Sequence, residues 1–249
     1  MNGPELVTSS TRQEGAQRSA VRDVQLSAFP DLQVDKPVGG IIGSVFTGSN
    51  ADLMAAVSPL YLTGSVMDCT YGEGKWWTRY RPADLICHDL DTTKGDGVSF
   101  LALPEADDSV DTVTFDPPYI PAGGKRTSGQ TEAEANFRNR FGLDPMSRAD
   151  LLELVHGGMA EACRVARSYV LAKCTDYVSA RAFWLGHLDM IAAAANSGWV
   201  VHDLIVHATG SGPGGHNIYE VLRARRAHSY LVVFVPGPSA RPSLFGAPA

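Results

Sequence analysis

The chain has 249 residues, 44% of them hydrophobic and 19% charged, enough apolar material for one large core with flanking tails. Its formal net charge of -6 argues against indiscriminate coating of nucleic acid, so any polyanion must be met by a local basic patch. No apolar run approaches the roughly 20 residues that cross a bilayer, and the first residues lack the apolar stretch of a signal peptide, so a cytoplasmic protein with no membrane partner is expected.

Residues 1–37 are rich in Ser, Gln, Gly and charge without a sustained apolar period, and read as a flexible N-terminal arm. Residues 38–236 carry the alternating apolar segments of a single folded domain, and residues 237–249 read as a loose, Pro-rich tail. Ser49 or Asn50 can cap a helix carrying Leu53, Met54, Val57 and Leu60 and ending between Pro59 and Leu62. The run from Gly64 to Cys69 reads as a short buried strand, followed by Thr70-Tyr71-Gly72-Glu73-Gly74 and the start of another helix. Glycines at 72 and 74 permit positive φ and close approach of a ligand, and a helix there would aim its first amides at the same spot. A tight strand-to-helix connection accounts for Gly-x-Gly almost as well.

A second strand spans residues 84–88 and leads into Asp89. A carboxylate about twenty residues beyond the end of the glycine-turn strand can accept both hydroxyls of a ribose, although a solvated turn or helix cap also suits Asp89 and Asp91. His88 reads as a packing residue or a structural hydrogen bond. Residues 96–100 read as a third short strand or a loop. The four cysteines, Cys69, Cys87, Cys163 and Cys174, sit in apolar stretches without metal-ligand spacing, so buried thiols and no metal are expected.

The stretch Asp111-Thr112-Val113-Thr114-Phe115 is a third apolar strand, and it runs directly into Asp116-Pro117-Pro118-Tyr119. The two prolines fix their own φ and bias Asp116 and Pro117 toward extended backbone. This turn offers the Asp116 carboxylate and the Pro117 carbonyl as acceptors for an amino group, and the Tyr119 ring as a face for a planar base. Taken alone, the tetrapeptide reads equally as a stiff surface turn. After it come a long irregular stretch with Lys125, Arg126, Arg138 and Arg140, a helix over about 147–166, a strand from Ser168 to Cys174, and a helix over 179–197. Two β-rich segments, Trp199–His207 and His228–Val235, enclose a glycine-rich connection with Arg223, Arg225 and Arg226. The basic residues of the two long connections are the candidate phosphate contacts.

Strands alternating with helices predict an α/β fold, a doubly wound and mostly parallel sheet with an antiparallel edge strand. In such sheets ligands bind at the carboxyl ends of strands, where Asp68, the glycine turn, Asp89 and Asp116 all fall. On the segments Val66–Gly74, Phe115–Tyr119, Leu171–Cys174 and Arg226–Phe234 the chain resembles the S-adenosylmethionine-dependent DNA amino-methyltransferases of the adenine-N6 or cytosine-N4 type, and within them the small methylases of phages and actinobacteria. The resemblance implies a class I, Rossmann-like methyltransferase fold with S-adenosylmethionine as cofactor. It implies that Asp68, Thr70, Tyr71, Gly72 and Gly74 line the methionine side of the cofactor and that Asp89 and Leu90 hold its nucleoside. It makes Asp116, Pro117, Pro118 and Tyr119 the catalytic turn, with Asp116 also beside the cofactor. The adenine-contacting residue falls at Asp96 or near Ser99. DNA is the implied partner, as duplex with a flipped base or as a single strand, with adenine N6 the first target. Cytosine N4, an RNA amine, and a silent cofactor-binding module are the alternatives.

Overall fold

A computed structural model describes residues 42–119, 143, 146–179, 182–208 and 226–238. The chain divides into two compact units, Met1–Lys36 and Pro37–Ala249, and all described residues belong to the second. The expected arm and the tail beyond residue 238 lie outside the described residues.

The described elements are β1 (Val45–Thr47), α1 (Asn50–Tyr61), β2 (Val66–Asp68), a single 3-10 turn (Lys75–Trp77), β3 (Leu85–Cys87), β4 (Val110–Phe115), α2 (Arg148–Val165), β5 (Ala166–Cys174), β6 (Tyr177–Ser179), β7 (Ala182–Trp184), α3 (Gly186–Asn196), β8 (Trp199–Ala208) and β9 (His228–Pro236). Seven strands form one sheet in the order β1-β8-β9-β5-β4-β2-β3. Strands β3, β2, β4 and β5 pair in parallel, while β9 runs antiparallel between β5 and β8, with β1 parallel to β8 at the edge. The expected doubly wound, mostly parallel sheet is therefore present, and its reversed strand lies toward one edge.

Each face of the sheet has its own core. Helices α2 and α3 cover one face through Leu151, Val155, Met159, Met190 and Ala194, packed on Met67, Val113, Phe115 and Phe234. On the other face α1 and the 3-10 turn bring Leu53, Met54, Val57 and Trp76 against Val66, Leu171 and Val233. The alternation along β4 explains the division, because successive side chains point to opposite faces. Phe115 joins the α2 face, while Thr112 and Thr114 are wholly buried on the other. Their hydroxyls donate to Tyr61 O at 2.8 Å and Met67 O at 3.3 Å, which removes the cost of burying them.

Ser49 caps α1 and Ser147 caps α2, each in a reciprocal capping box with the Asp three residues on. Leu60, expected on the apolar face of α1, is 38% exposed, and Tyr61 is buried in its place. The glycine turn leads into only one 3-10 turn, not the expected helix, because Trp76 and Trp77 are both drawn into the core. The expected helix over 179–197 also starts later. Strands β6 and β7 pair antiparallel, Tyr177 opposite Trp184 and Val178 opposite Phe183, and α3 begins at Gly186. Aromatic and β-branched residues opposite one another on paired strands outweigh the helical spacing that the same residues also satisfy. Of the two alternatives for residues 96–100 the structure has the loop and not the strand, and β1 was not foreseen.

Gly158 lets α2 approach β4 directly beneath the turn that follows this strand. A Cβ there would lie 2.5 Å from Phe115 Cζ and 2.7 Å from Phe100 Cδ2. Gly158→Val is expected to destabilise the domain by about 3 kcal/mol, since overpacking exceeds the small gain in helix propensity. A lowered urea midpoint is the readout, and a midpoint at or above wild type would show slack in this contact.

Candidate active site

The first component is the loop after β2. Asp68 is only 3% exposed, yet both its carboxylate oxygens are occupied. Trp77 Nε1 donates to Oδ2 at 2.7 Å, and Thr70 donates to Oδ1 through its backbone N at 3.0 Å and its hydroxyl at 3.3 Å. Burial pushes Asp68 up to about 6, the Asp116 charge adds to this, and the bonds from Trp77 and Thr70 oppose it. Its main work is thus to fold the loop. Gly72 and Gly74 both have positive φ, 56° and 65°. A Cβ at Gly72 would meet nothing nearer than Thr70 O at 3.9 Å, so this glycine leaves open space for a ligand. A Cβ at Gly74 would lie 2.5 Å from the Tyr71 hydroxyl, so that glycine serves internal packing.

The second component is Asp89. Its Oδ2 accepts from Gly72 N at 2.7 Å and its Oδ1 from Asp91 N at 2.8 Å. A carboxylate offers about four acceptor positions, so two backbone donors hold it in place and leave about two for a ligand's hydroxyls. His88 beside it is buried and bridges two acids, with Nδ1 2.6 Å from Asp96 Oδ2 and Nε2 2.8 Å from Glu105 Oε1. Burial alone would lower the His88 pKa, but the bonds and charges of Glu105 and Asp96 prevail and hold it above its ordinary value. This clamp folds the loop after β3 back on itself, and Asp89 sits at its root.

The third component is the turn after β4. Pro117 and Pro118 are buried, and Asp116 and Tyr119 are half-buried. Asp116 N donates to Thr70 Oγ1 at 2.8 Å, and Cys69 N donates to Thr114 O at 3.3 Å. Thr70 therefore joins the loops of β2 and β4 by donating to one acid and accepting from the backbone of the other.

These components line one cavity of about 490 Å³, within the range of small-ligand sites. Its wall brings together Asp68, Thr70, Tyr71 and Gly72 from the first loop, Asp89 and Leu90 from the second, and Asp116 and Pro118 from the third. Gly74, Pro117, Tyr119, Asp96 and Ser99 are not part of that wall. Asn50, Lys75, Trp76, Lys94 and Phe100 also line it and were missed, as was Trp77 behind Asp68. Only Trp76 and Trp77 carried a signal, as two large aromatic residues directly after a glycine turn. Lys94 is tied to Asp91 at 2.8 Å.

Of the candidate phosphate contacts, Lys125, Arg126, Arg138, Arg140, Arg223 and Arg225 lie outside the described residues. Arg226 places its guanidinium 5.0 Å over the Phe183 ring. Arg148, the first residue of α2, pairs with Asp189 at 3.1 Å and stacks 3.7 Å over Trp184, which ties the hairpin to two helices. Among the described residues no three His, Cys, Asp or Glu side chains gather as metal ligands, and no helix is long and apolar enough to cross a membrane.

No family model matches the chain, and no curated protein sequence does. Several solved structures are similar to it. A candidate DNA modification methylase from Thermus thermophilus is 15% identical with a TM-score of 0.35, over 57% of this chain and 51% of that one, so this chain spans about half that protein's length. A SAM-dependent methyltransferase from Methanosarcina mazei is 8% identical with a TM-score of 0.43, over 73% of this chain and 97% of that one. Magnesium protoporphyrin IX methyltransferase from Synechocystis, solved with SAM bound, is 9% identical with a TM-score of 0.40, over 88% and 96% of the two chains.

The His88 clamp has a definite pH signature. Because its folded pKa is raised above the ordinary 6.5, its contribution is complete below that value and lost as pH rises through the folded value. The urea midpoint of the wild type should therefore fall more steeply above neutral pH than that of His88→Gln. Parallel curves for the two proteins would show that the imidazole is not charged in the clamp.

Proposed function

We propose that this chain is an S-adenosylmethionine-dependent DNA methyltransferase acting on an exocyclic base amine, adenine N6 first. The observation that carries the reading is the single cavity that joins Asp89 and Gly72 at the ends of β3 and β2 to Asp116 and Pro118 at the end of β4. The residues present suit the cofactor. Asp89 keeps acceptor capacity for ribose hydroxyls, Gly72 leaves room beside the loop, and a cavity of about 490 Å³ suits a ligand of nucleoside-amino-acid size. Asp68, Thr70, Tyr71 and Leu90 complete its surroundings. The cofactor, when bound, supplies an electrophilic sulfonium methyl group.

The chain's own residues supply position and charge. An exocyclic amine is a weak nucleophile because its lone pair is delocalised into the ring. Asp116 and the Pro117 carbonyl, accepting its two hydrogens, favour a pyramidal nitrogen and direct the lone pair toward the cofactor end of the cavity. Asp116 then takes up the proton released. Tyr119 offers its ring to the base, offsetting the few kcal/mol that flipping a base out of a duplex costs, and a single strand avoids that cost. Arg226 and the basic residues of the two long connections meet the phosphates of the strand. Residues 1–37 and 237–249 flank this catalytic domain as arm and tail, in a cytoplasmic protein.

Labelled methyl transfer to duplex DNA, single-stranded DNA, tRNA and no polymer, followed by nucleoside mass spectrometry, tests the reading. Methyl on adenine N6 in DNA is the expected product. Methyl on cytosine N4 would move the target base, transfer to RNA alone would remove the DNA assignment, and no transfer by folded protein to any acceptor would overturn the reading.

Variants separate the two ends of the cavity. Asp116→Ala should lower turnover by about 10²–10³, in line with loss of one preorganised group at a reacting atom, while changing S-adenosylmethionine affinity by less than about tenfold. Asp89→Ala should do the reverse, raising the cofactor's dissociation constant in calorimetry. An Asp116→Ala protein with near wild-type turnover would falsify the mechanism.

A further inference from the structure

Lys173, next to the last residue of β5, is only 3% exposed although its side chain is cationic. Its Nζ lies 2.5 Å from Asn50 Oδ1 and 3.2 Å from His207 Nδ1, and His207 Nε2 lies 2.8 Å from Gly48 O. An ammonium only donates, so both of these partners are acceptors. His207 Nδ1 then carries no proton, and Nε2–H donates to Gly48 O. Burial holds His207 below its ordinary value, and the Lys173 charge acts the same way, which keeps the ring neutral as this arrangement requires. The same logic sets the Asn50 amide. With Oδ1 turned to Lys173, the NH₂ is the end left for the cavity whose wall Asn50 forms.

The position of Asn50 indicates what it meets. Strands β3, β2, β4 and β5 lie side by side in that order, so the cavity runs from Asp89 at the β3 side to Asp116 after β4. Asn50 is anchored to β5 through Lys173, one strand beyond Asp116. A ligand whose ribose sits on Asp89 therefore ends near Asn50. In S-adenosylmethionine that end is an amino acid with a free carboxylate, an acceptor for an amide NH₂. We infer that Lys173 is a positioning residue that holds the Asn50 amide as a donor to this carboxylate, an inference that rests on the reading under Proposed function. Without the ammonium the amide is free to turn and present its oxygen to a negative charge.

Calorimetry with two ligands tests this: S-adenosylhomocysteine, which has the amino-acid end, and 5′-methylthioadenosine, which lacks it. Lys173→Met is expected to weaken S-adenosylhomocysteine by about tenfold or more and 5′-methylthioadenosine by less than about twofold. Asn50→Asp keeps a partner for Lys173 but replaces the NH₂ by an oxygen, and should show the same selective loss. If Lys173→Met does not fold, Asn50→Asp on the cavity wall decides alone. Equal weakening of both ligands, or unchanged S-adenosylhomocysteine affinity, would overturn the inference while wild-type binding leaves the cofactor assignment standing. A wild type that binds neither ligand would overturn the cofactor assignment, and this inference with it.

Discussion

The Asp68 carboxylate lies almost wholly out of water, held by Trp77 Nε1 at 2.7 Å and by Thr70 N at 3.0 Å. A buried carboxylate is costly unless its oxygens are bonded, so these donors cannot be lost singly without leaving a charge stranded. The loop after β2 is therefore closed around an acid instead of extending into a helix. Thr70, fixed by Asp68, accepts from Asp116 N at 2.8 Å. The indole of Trp77, the acid at the end of β2 and the turn at the end of β4 form one hydrogen-bonded chain, and the relative placement of the two halves of the cavity depends on it.

The rigidity of the turn has a second source beneath it. β4 is the strand between β2 and β5, and both faces around it are filled, by Phe115 on the α2 side and by the two threonines on the α1 side. Their hydroxyls bond inward to neighbouring backbone carbonyls, so the strand is pinned without being wholly apolar. Two prolines beyond it then remove the backbone freedom that remains. The acceptor role proposed for Asp116 and the Pro117 carbonyl requires such fixity, because its effect on a transition state depends on not having to reorganise.

Ionisable groups withdrawn from water cluster at the same end of the sheet. Asp68, His88, Lys173 and His207 are all buried at or near the carboxyl ends of parallel strands or at the adjoining edge, and each is bonded on the sides that the structure describes. Such networks do little for net stability, since desolvation offsets most of the gain. They do fix orientation. Asp89, Asn50 and Thr70, the residues that these buried groups hold or adjoin, all line the cavity. The cost is concentrated around the cavity, which accords with the proposed site.

What the sequence determined by itself was mainly local. Apolar runs ending in Asp68, Asp89 and Asp116 marked three strands and their carboxyl ends, because strand burial leaves a direct trace in composition. Gly72 and the double proline marked turns, because their backbone limits are properties of the residues themselves. Only the tertiary structure decided that Trp77 closes the loop on Asp68, that His88 is clamped by Asp96 and Glu105, and that Lys173 reaches Asn50 across 123 positions of chain. Those contacts join residues with no periodic relation, so nothing in a window of sequence records them. The β6–β7 pair shows the same limit: Phe183 and Trp184 satisfy helical spacing, and pairing with Val178 and Tyr177 on the facing strand chose the strand instead.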